Sequence, residues 1–548
     1  MKHLYLLAIL LSLVFFSGIT VAQDFRPVPE IASEIVPKQS IMAQKYVAVT
    51  ANPLATKAAY DVLKQGGSAL DAAIAAQAIL GLVEPQSSGL GGGAFLVYYD
   101  KAKNKITTLD GREISPKTIK PNVFEGKDFY KAVLSADSVG VPGTPALLAE
   151  MYERSSSQIP LIDLLQPAID LAEAGFEVSP RLQGAIDNEI KNNRVSADFT
   201  NYFTGDAVIK NPAYAQTLSY LADYRTVPQQ TLAERLKAIG SEITEADLNE
   251  YKVIEREPIC GFYRGYKICS MDEPSSGGIT ILQILGMIEN FPIQHWGGDD
   301  VRSWHVIAEA SRLAFKDRNH YIADPDFIES KKAKLIDKAY LKDRASLINV
   351  TKRNDNVTVG DPDKEGGTSH ISIVDAQGNI VSMTTTIESA FGSHYMVDGY
   401  FLNNELTDFS FETVDENGKL IANRVEGRKR PRSSMAPTIV FDPMGKPFMV
   451  LGSAGGSRII GYVVQRIIAA IDWGLPLKTS LDMPNILSRG EEMEVENGFQ
   501  GALLEQLVKK GHQVVVGEQN SGLTAIQFIG NGMQSYADPR REGVALGE

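Results

Sequence analysis

The sequence predicts an α+β body built in stacked layers, with helices covering a two-sheet centre. Three observations predict it. The chain opens with capped, alanine-rich helical patterns, and a mainly helical stretch follows from about residue 140 to 350. Beyond residue 367 the pattern changes to short β-branched runs separated by turn signals, and then returns to one long helix. At 548 residues the chain is long enough for one large body or two domains.

Met1 and Lys2 precede an apolar block from Leu4 to Phe16, and small and polar residues end at Thr20-Val21-Ala22. This is the pattern of a secretory signal peptide over residues 1–22; the block is short for a membrane span, so a retained anchor is the lesser reading. No cysteine follows the cleavage site to carry a lipid. The expectation is an exported chain, periplasmic or secreted, with no membrane segment after signal cleavage. Next, Asn52 is an N-cap, Pro53 the first helical residue and Gly66 the stop. Ser68 with Asp71 forms a capping box for "ALDAAIAAQAIL", apolar on most sides and therefore buried. Cys260 and Cys269 flank "GFYRGYKI"; a two-residue turn at Arg264-Gly265 places them opposite each other, at a Cα separation of about 4.5 Å. A disulfide and two reduced, packed thiols both fit that spacing. After the charged loop Thr351 to Gly367, the segments "SHISIV", "NIVSMTTTI", "APTIVF" and "PFMVLG" read as strands, and "SRIIGYVVQRIIAAIDW" as a helix that starts directly after "GSAGG".

Composition excludes several functions. With 44% hydrophobic and 22% charged residues the chain is an ordinary globular protein, and its net charge of -13 argues against nucleic-acid binding. The glycine-rich stretch Ser87 to Asp100 leads into a strand and lacks a Gly-Lys-Ser/Thr ending, so it does not read as a nucleotide cradle. The mature histidines, His295, His305, His320, His394 and His512 besides His370, show no metal-ligand spacing. No cofactor and no metal are predicted. No G-x-S-x-G elbow supports a serine hydrolase.

The chemistry concentrates at Thr368. Alternation places Thr368, His370 and Ser372 on one strand face and Ser369, Ile371 and Ile373 on the other. A threonine hydroxyl needs a base, and a threonine that begins a chain carries one in its own α-amine, whose reference pKa is about 7.7–8.0. Interior threonine lacks that amine, so the chain would have to be cut between Gly367 and Thr368. Taken alone, this threonine reads as an ordinary strand residue sooner than as a nucleophile.

The motifs "GGTSHISIV", "TTTIE", "LNNELTDFS", "KRPRSSMAPTIV" and "GSAGGSRII", preceded by "NPLATKAAYDVLKQGGSALDAA", "VEPQSSGLGGGAFLVYYD", "LDGRE" and "PSSGG", closely resemble the γ-glutamyltranspeptidase (glutathione hydrolase) family. They run in the family's order from about residue 45 to "DPR" near Arg540. The resemblance implies an N-terminal nucleophile hydrolase with a four-layer αββα sandwich that cuts its own precursor. Residues 23–367 would form the large subunit and 368–548 the small one. Thr368 would serve as nucleophile for self-cleavage and catalysis, with Thr386 hydrogen-bonded to it. Arg112, Ser433 and Ser434 match the donors to a substrate α-carboxylate, and Glu405 and Asp408 the acceptors of its α-ammonium. Gly455 and Gly456 match the oxyanion-hole amides, a role that also suits the start of a helix.

Two departures stand out. Glu388 replaces the asparagine of many members and could still accept from the ammonium. The 18 residues Phe411 to Arg428 occupy the place of a lid that varies in length across the family. The expected activity is transfer of a γ-glutamyl group from glutathione, or similar compounds, to water or to an amino acid or dipeptide acceptor. The alternatives are a glutaryl-β-lactam acylase or γ-polyglutamate-processing enzyme of the same fold and, from another class, a noncatalytic exported γ-glutamyl-binding protein.

Overall fold

A computed structural model of the chain describes residues 35–155, 158–357 and 367–548. The expected signal peptide, the start at Gln23 and Gly366 lie outside the described residues.

Two seven-stranded antiparallel sheets stand face to face. The first runs, in spatial order, Ala545–Gly547, Val47–Thr50, Gly367–Val374, Ile380–Glu388, Gly93–Asp100, Lys105–Gly111 and Ile254–Arg256. The second runs Ile41–Ala43, Gly532–Ala537, Thr524–Ile529, Pro447–Gly452, Thr438–Phe441, Tyr266–Ser270 and Ile259–Tyr263. Strand alternation sorts the apolar residues into three cores. Leu96, Ile371, Ile373, Val381 and Met383 face helices that include Ala69–Val83 and Leu161–Ala174. Val47, Val97, Val374, Ile380, Ile439, Val450 and Ile526 pack between the sheets. Ile268, Val440 and Leu451 face Gly277–Ile288, Val301–Tyr321 and Arg458–Ile471. The result is a four-layer αββα sandwich. The four strands expected between residues 369 and 452 divide between the sheets, two to each.

The local signals have physical counterparts. Asn52 caps Pro53–Lys64 by accepting from the Leu54 amide, and Gly66 leaves that helix at φ +91°. The Ser68–Asp71 capping box opens Ala69–Val83, a helix buried on every side, where alanine lets neighbouring elements approach closely. Arg264 and Gly265 both take positive φ in a tight turn, Tyr263 faces Tyr266, and Cys260 is joined to Cys269 by a disulfide at a Cα separation of 4.2 Å.

The glycine-rich stretch has its explanation in close approach. A Cβ on Gly91 would stand 2.0 Å from the Phe401 carbonyl oxygen, and one on Gly92 the same distance from the Thr386 carbonyl oxygen. These glycines let one backbone lie directly against the strand that holds Thr386. Between the sheets nearby, polar groups replace the apolar core. The ring of His370 bonds Thr384 Oγ1 through Nδ1 at 2.8 Å, and Ser372 meets Thr524 Oγ1 at 2.9 Å. Burial pushes the His370 pKa down to about 3, so the ring is a neutral packing group and not a base at working pH.

Two substitutions test this reading. Gly92→Ala should lower stability by more than about 2 kcal/mol, since backbone must move to admit the methyl group. Gly184→Ala, in the helix Pro180–Lys191 with open space at its Cβ position, should raise stability by about 0.5–1 kcal/mol. Chemical denaturation of both variants checks the contrast.

Candidate functional site

At one end of the sandwich, Arg112, Arg318, Thr368, Thr386, Glu388, Glu405, Asp408, Ser433, Ser434 and Gly456 line one cleft, with Met435, Ser457 and Ile459. Gly455 immediately precedes this lining.

Thr368 and Thr386 are register partners on adjacent strands, and both are buried. The ladder breaks between Gly367 and Thr368: Gly367 pairs with Glu388, so one strand gains a residue on the other. Glu388 takes up the distortion at φ +76°, where a side chain is strained, and its amide donates to Thr386 Oγ1 at 2.8 Å. The proposed scissile junction therefore sits on a bulge. Arg541 adds a contact from the C-terminal segment, donating from Nη1 to the Thr368 carbonyl at 3.1 Å.

Arg112 follows the strand Lys105–Gly111 and is held from behind. Its amide donates to Asp110 Oδ1 at 2.9 Å, and its carbonyl accepts from the Tyr251 hydroxyl at 2.7 Å. Asp110 is itself buried between Arg256 and Arg430. The Arg112 guanidinium donates from Nε to the Pro431 carbonyl and from Nη2 to the Arg432 carbonyl, both at 3.1 Å. It also pairs with Glu405 through Nη1 and with Asp408 through Nη2. Glu405 and Asp408 stand at i and i+3 of one 3₁₀ turn, the spacing that aligns side chains in such a turn. Asn403 fixes the turn by accepting from the amides of Glu405 and Gly140, both at 2.9 Å.

This pairing departs from the sequence reading, which gives Arg112 to an external carboxylate and the two acids to an ammonium. In the structure these groups satisfy one another. Acid is nonetheless in excess. Glu113, absent from the sequence-derived set although it follows Arg112 directly, is fully buried 3.9 Å from the Arg112 guanidinium. Burial raises the pKa of Glu113 and Glu388 well above the carboxylate range, and neighbouring carboxylates add to it. Glu405 is pushed up to about 7 by burial, against the pull of Arg112. For Arg112, burial opposes the charge, yet Glu405, Asp408 and Glu113 hold its pKa above the ordinary value. Among the described residues, Glu388, Glu405 and Asp408 bring carboxylate oxygens within 4.8 Å of one another, which suits an ammonium as well as a metal ion.

Ser433 and Ser434 belong to a loop clamped by the "PSSGG" turn. The Ser276 amide and hydroxyl donate to the Ser433 carbonyl at 2.8 and 2.7 Å, and a Cβ on Gly277 would stand 2.7 Å from that of Ala436. Ser433 Oγ accepts from the Met435 amide at 3.1 Å; Ser434 Oγ accepts from Arg318 Nη2 at 2.6 Å. Each hydroxyl can therefore turn its proton toward the cleft. Gly455 and Gly456 take φ +122° and +58° just before the helix Arg458–Ile471, a left-handed backbone that glycine adopts readily. The segment Phe411 to Arg428 folds back: Phe411 stacks on Phe124 at 5.1 Å, and Asn423 links the Asp408 carbonyl to the Arg432 amide. None of the residues lining the cleft comes from it.

The sequence-derived set thus converges on one cleft. The sequence reading missed Glu113, Arg318 and Ser457. Glu113 could have been found from its place beside Arg112; Arg318, in the long helix Val301–Tyr321, carries no local signal.

A family model described as gamma-glutamyltranspeptidase matches residues 55–548. A glutathione hydrolase proenzyme of Bacillus subtilis (strain 168) is 35% identical over 557 residues, covering 93% of this chain and 92% of the relative. One of Escherichia coli (strain K12) is 33% identical over 531 residues, covering 91% of each. The crystal structure of a cephalosporin acylase from Bacillus halodurans superposes with a TM-score of 0.83 at 26% identity, covering 94% of this chain and 97% of that one.

The raised acid fixes a pH dependence. Folded Glu405 has its pKa near 7, against about 4.3 unfolded. The folded state therefore holds the proton more tightly, and that stabilisation is complete below about pH 4 and lost as pH rises to about 7. Between pH 4.5 and 7 the unfolding free energy of the wild type should fall relative to Glu405→Gln, measured by urea denaturation.

Proposed function

The chain belongs to the γ-glutamyltranspeptidase family, and from that premise we propose that it is a self-processing, exported γ-glutamyltransferase and glutathione hydrolase. One observation carries the reading: a cation, Arg112, and two acids, Glu405 and Asp408, meet in the same cleft as Thr368 and the Ser433–Ser434 hydroxyls. A γ-glutamyl group presents the complementary pair, an α-carboxylate and an α-ammonium on one carbon. Its carboxylate can take the Arg112 fork and the serine hydroxyls while its ammonium takes Glu405, Asp408 and Glu388, so that no charge is left buried alone.

Processing precedes turnover. Thr368 Oγ1 attacks the Gly367 carbonyl carbon; the C–N bond breaks as the ester forms, and the nitrogen takes the Oγ1 proton to become the free amine. Water hydrolyses the ester, leaving residues 23–367 and 368–548 as the two subunits. In turnover the Thr368 amine accepts the Oγ1 proton as the oxygen attacks the γ-carbonyl of the donor. The oxyanion forms against the Gly455 and Gly456 amides. The leaving amine takes the proton, and water or the amine of an acceptor amino acid or dipeptide releases the γ-glutamyl group from its ester.

The fold likeness to a cephalosporin acylase favours one second reading, a glutaryl acylase. A glutaryl group has no ammonium, and would take Arg112 while leaving Glu405 and Asp408 without a counter-charge. The purified enzyme should cleave a γ-glutamyl anilide faster than a glutaryl anilide, and the reverse order would favour the acylase. Intact-mass measurement should find two fragments in the wild type, one starting at or near Gln23 and one at Thr368, and a single uncut chain in Thr368→Ala. An uncut but active wild type would overturn the mechanism.

A further inference from the structure

Arg318 is the second arginine of the cleft, and its surroundings are the opposite of those of Arg112. It is buried near the end of the helix Val301–Tyr321. Its Nε donates to Ser276 Oγ at 2.8 Å, Nη1 to Asn319 Oδ1 at 2.8 Å and Nη2 to Ser434 Oγ at 2.6 Å. All three acceptors are neutral, and among the described residues it makes no ion pair. A second cation, Arg432, stands beside it, and its guanidinium donates to the carbonyl oxygens of Arg318, Asn319 and Ile322. Burial and that neighbour both disfavour the Arg318 charge, while Asp408 favours it without forming an ion pair. The charge of Arg112, by contrast, is already balanced by Glu405 and Asp408.

A buried guanidinium without a counterion is costly unless an anion arrives to pair with it. The place where one would arrive is defined by Ser434. Because Ser434 Oγ accepts from Arg318, its own proton turns away from the arginine and toward the cleft, with its acidity increased by the donor behind it. Resting on the γ-glutamyl reading, we propose that Arg318 is a specificity-determining positioning residue. It polarises and orients the Ser434 hydroxyl and supplies a positive charge, in no ion pair among the described residues, that draws the donor's α-carboxylate to the Ser433–Ser434 end of the cleft. Arg112, whose fork is shared with Glu405 and Asp408, completes the carboxylate site.

The test compares two anilides that differ only in that carboxylate, γ-glutamyl and 4-aminobutyryl, on wild type, Arg318→Gln, Arg318→Lys and Ser434→Ala. In Arg318→Gln, KM for the γ-glutamyl anilide should rise about 30-fold with kcat changed less than about threefold, the loss expected of one charge-assisted hydrogen bond. Its kinetics on the 4-aminobutyryl anilide should not change. Arg318→Lys, which keeps the charge without the fork, should fall between, and serves if the glutamine variant does not fold or self-cleave. Combining Arg318→Gln with Ser434→Ala should cost no more than the larger single change. Equal losses on both anilides in either Arg318 variant, or a fall in kcat at constant KM, would reduce Arg318 to a structural part and overturn the proposal. The wild type separates the two levels: if it cleaves both anilides equally well, the γ-glutamyl reading itself fails. If it discriminates and the Arg318 variants discriminate as strongly, only this inference fails.

Discussion

The site depends on one buried interaction, the pairing of Arg112 with Glu405 and Asp408. The first two groups are shut off from solvent and the third nearly so, and none would be tolerated there singly. Much of the surrounding structure serves the pair. Asp110 holds the Arg112 backbone and is held by Arg256 and Arg430. Asn403 shapes the turn that aligns the acids, and Asn423 ties that turn to the Arg432 amide. Such a cluster contributes little net stability, since desolvation offsets most of the attraction. Its value is specificity: two signs of charge at fixed positions accept only a ligand that brings both.

The sandwich brings these groups to Thr368. Thr368, Thr386 and the strand leading to Arg112 come from one sheet, and Gly455, Gly456 and the serine loop flank strands of the other. Thr368 and Gly456 therefore meet in one cleft at the end of the inter-sheet gap, where His370, Thr384, Ser372 and Thr524 replace apolar packing. Strain accumulates at the same end, in the bulge before Thr368 and the positive φ of Glu388. A rigid core that over-determines such a junction can hold a peptide bond in a conformation from which attack is easy.

Much of this was legible in the residues. Capping chemistry at Asn52 and Ser68 and alternation from Thr368 onward act within a few positions, so sequence reports them directly. So does the Arg264-Gly265 turn, which sets the register of Cys260 against Cys269. The gathering of Arg112, Glu405, Ser433 and Thr368 into one cleft was legible only through ordered motifs, because 293 positions separate Arg112 from its acid. What could not be read was which charges meet. Gly91 and Gly92 announced a special backbone but not that it lies against Thr386 and Phe401. Arg318 sits in a helix whose polar residues look like a solvated face, and only the packing of Val301–Tyr321 against the serine loop turns it inward.

On the proposed reading, the cleft exchanges its internal ion pair for a ligand carrying both charges. Calorimetric titration of the processed enzyme with L-glutamate, glutarate and 4-aminobutyrate tests it most directly. Glutamate should bind at least about 100-fold more tightly than either analogue, because each of those leaves one buried charge unpaired. Glutarate binding as tightly as glutamate would contradict the account.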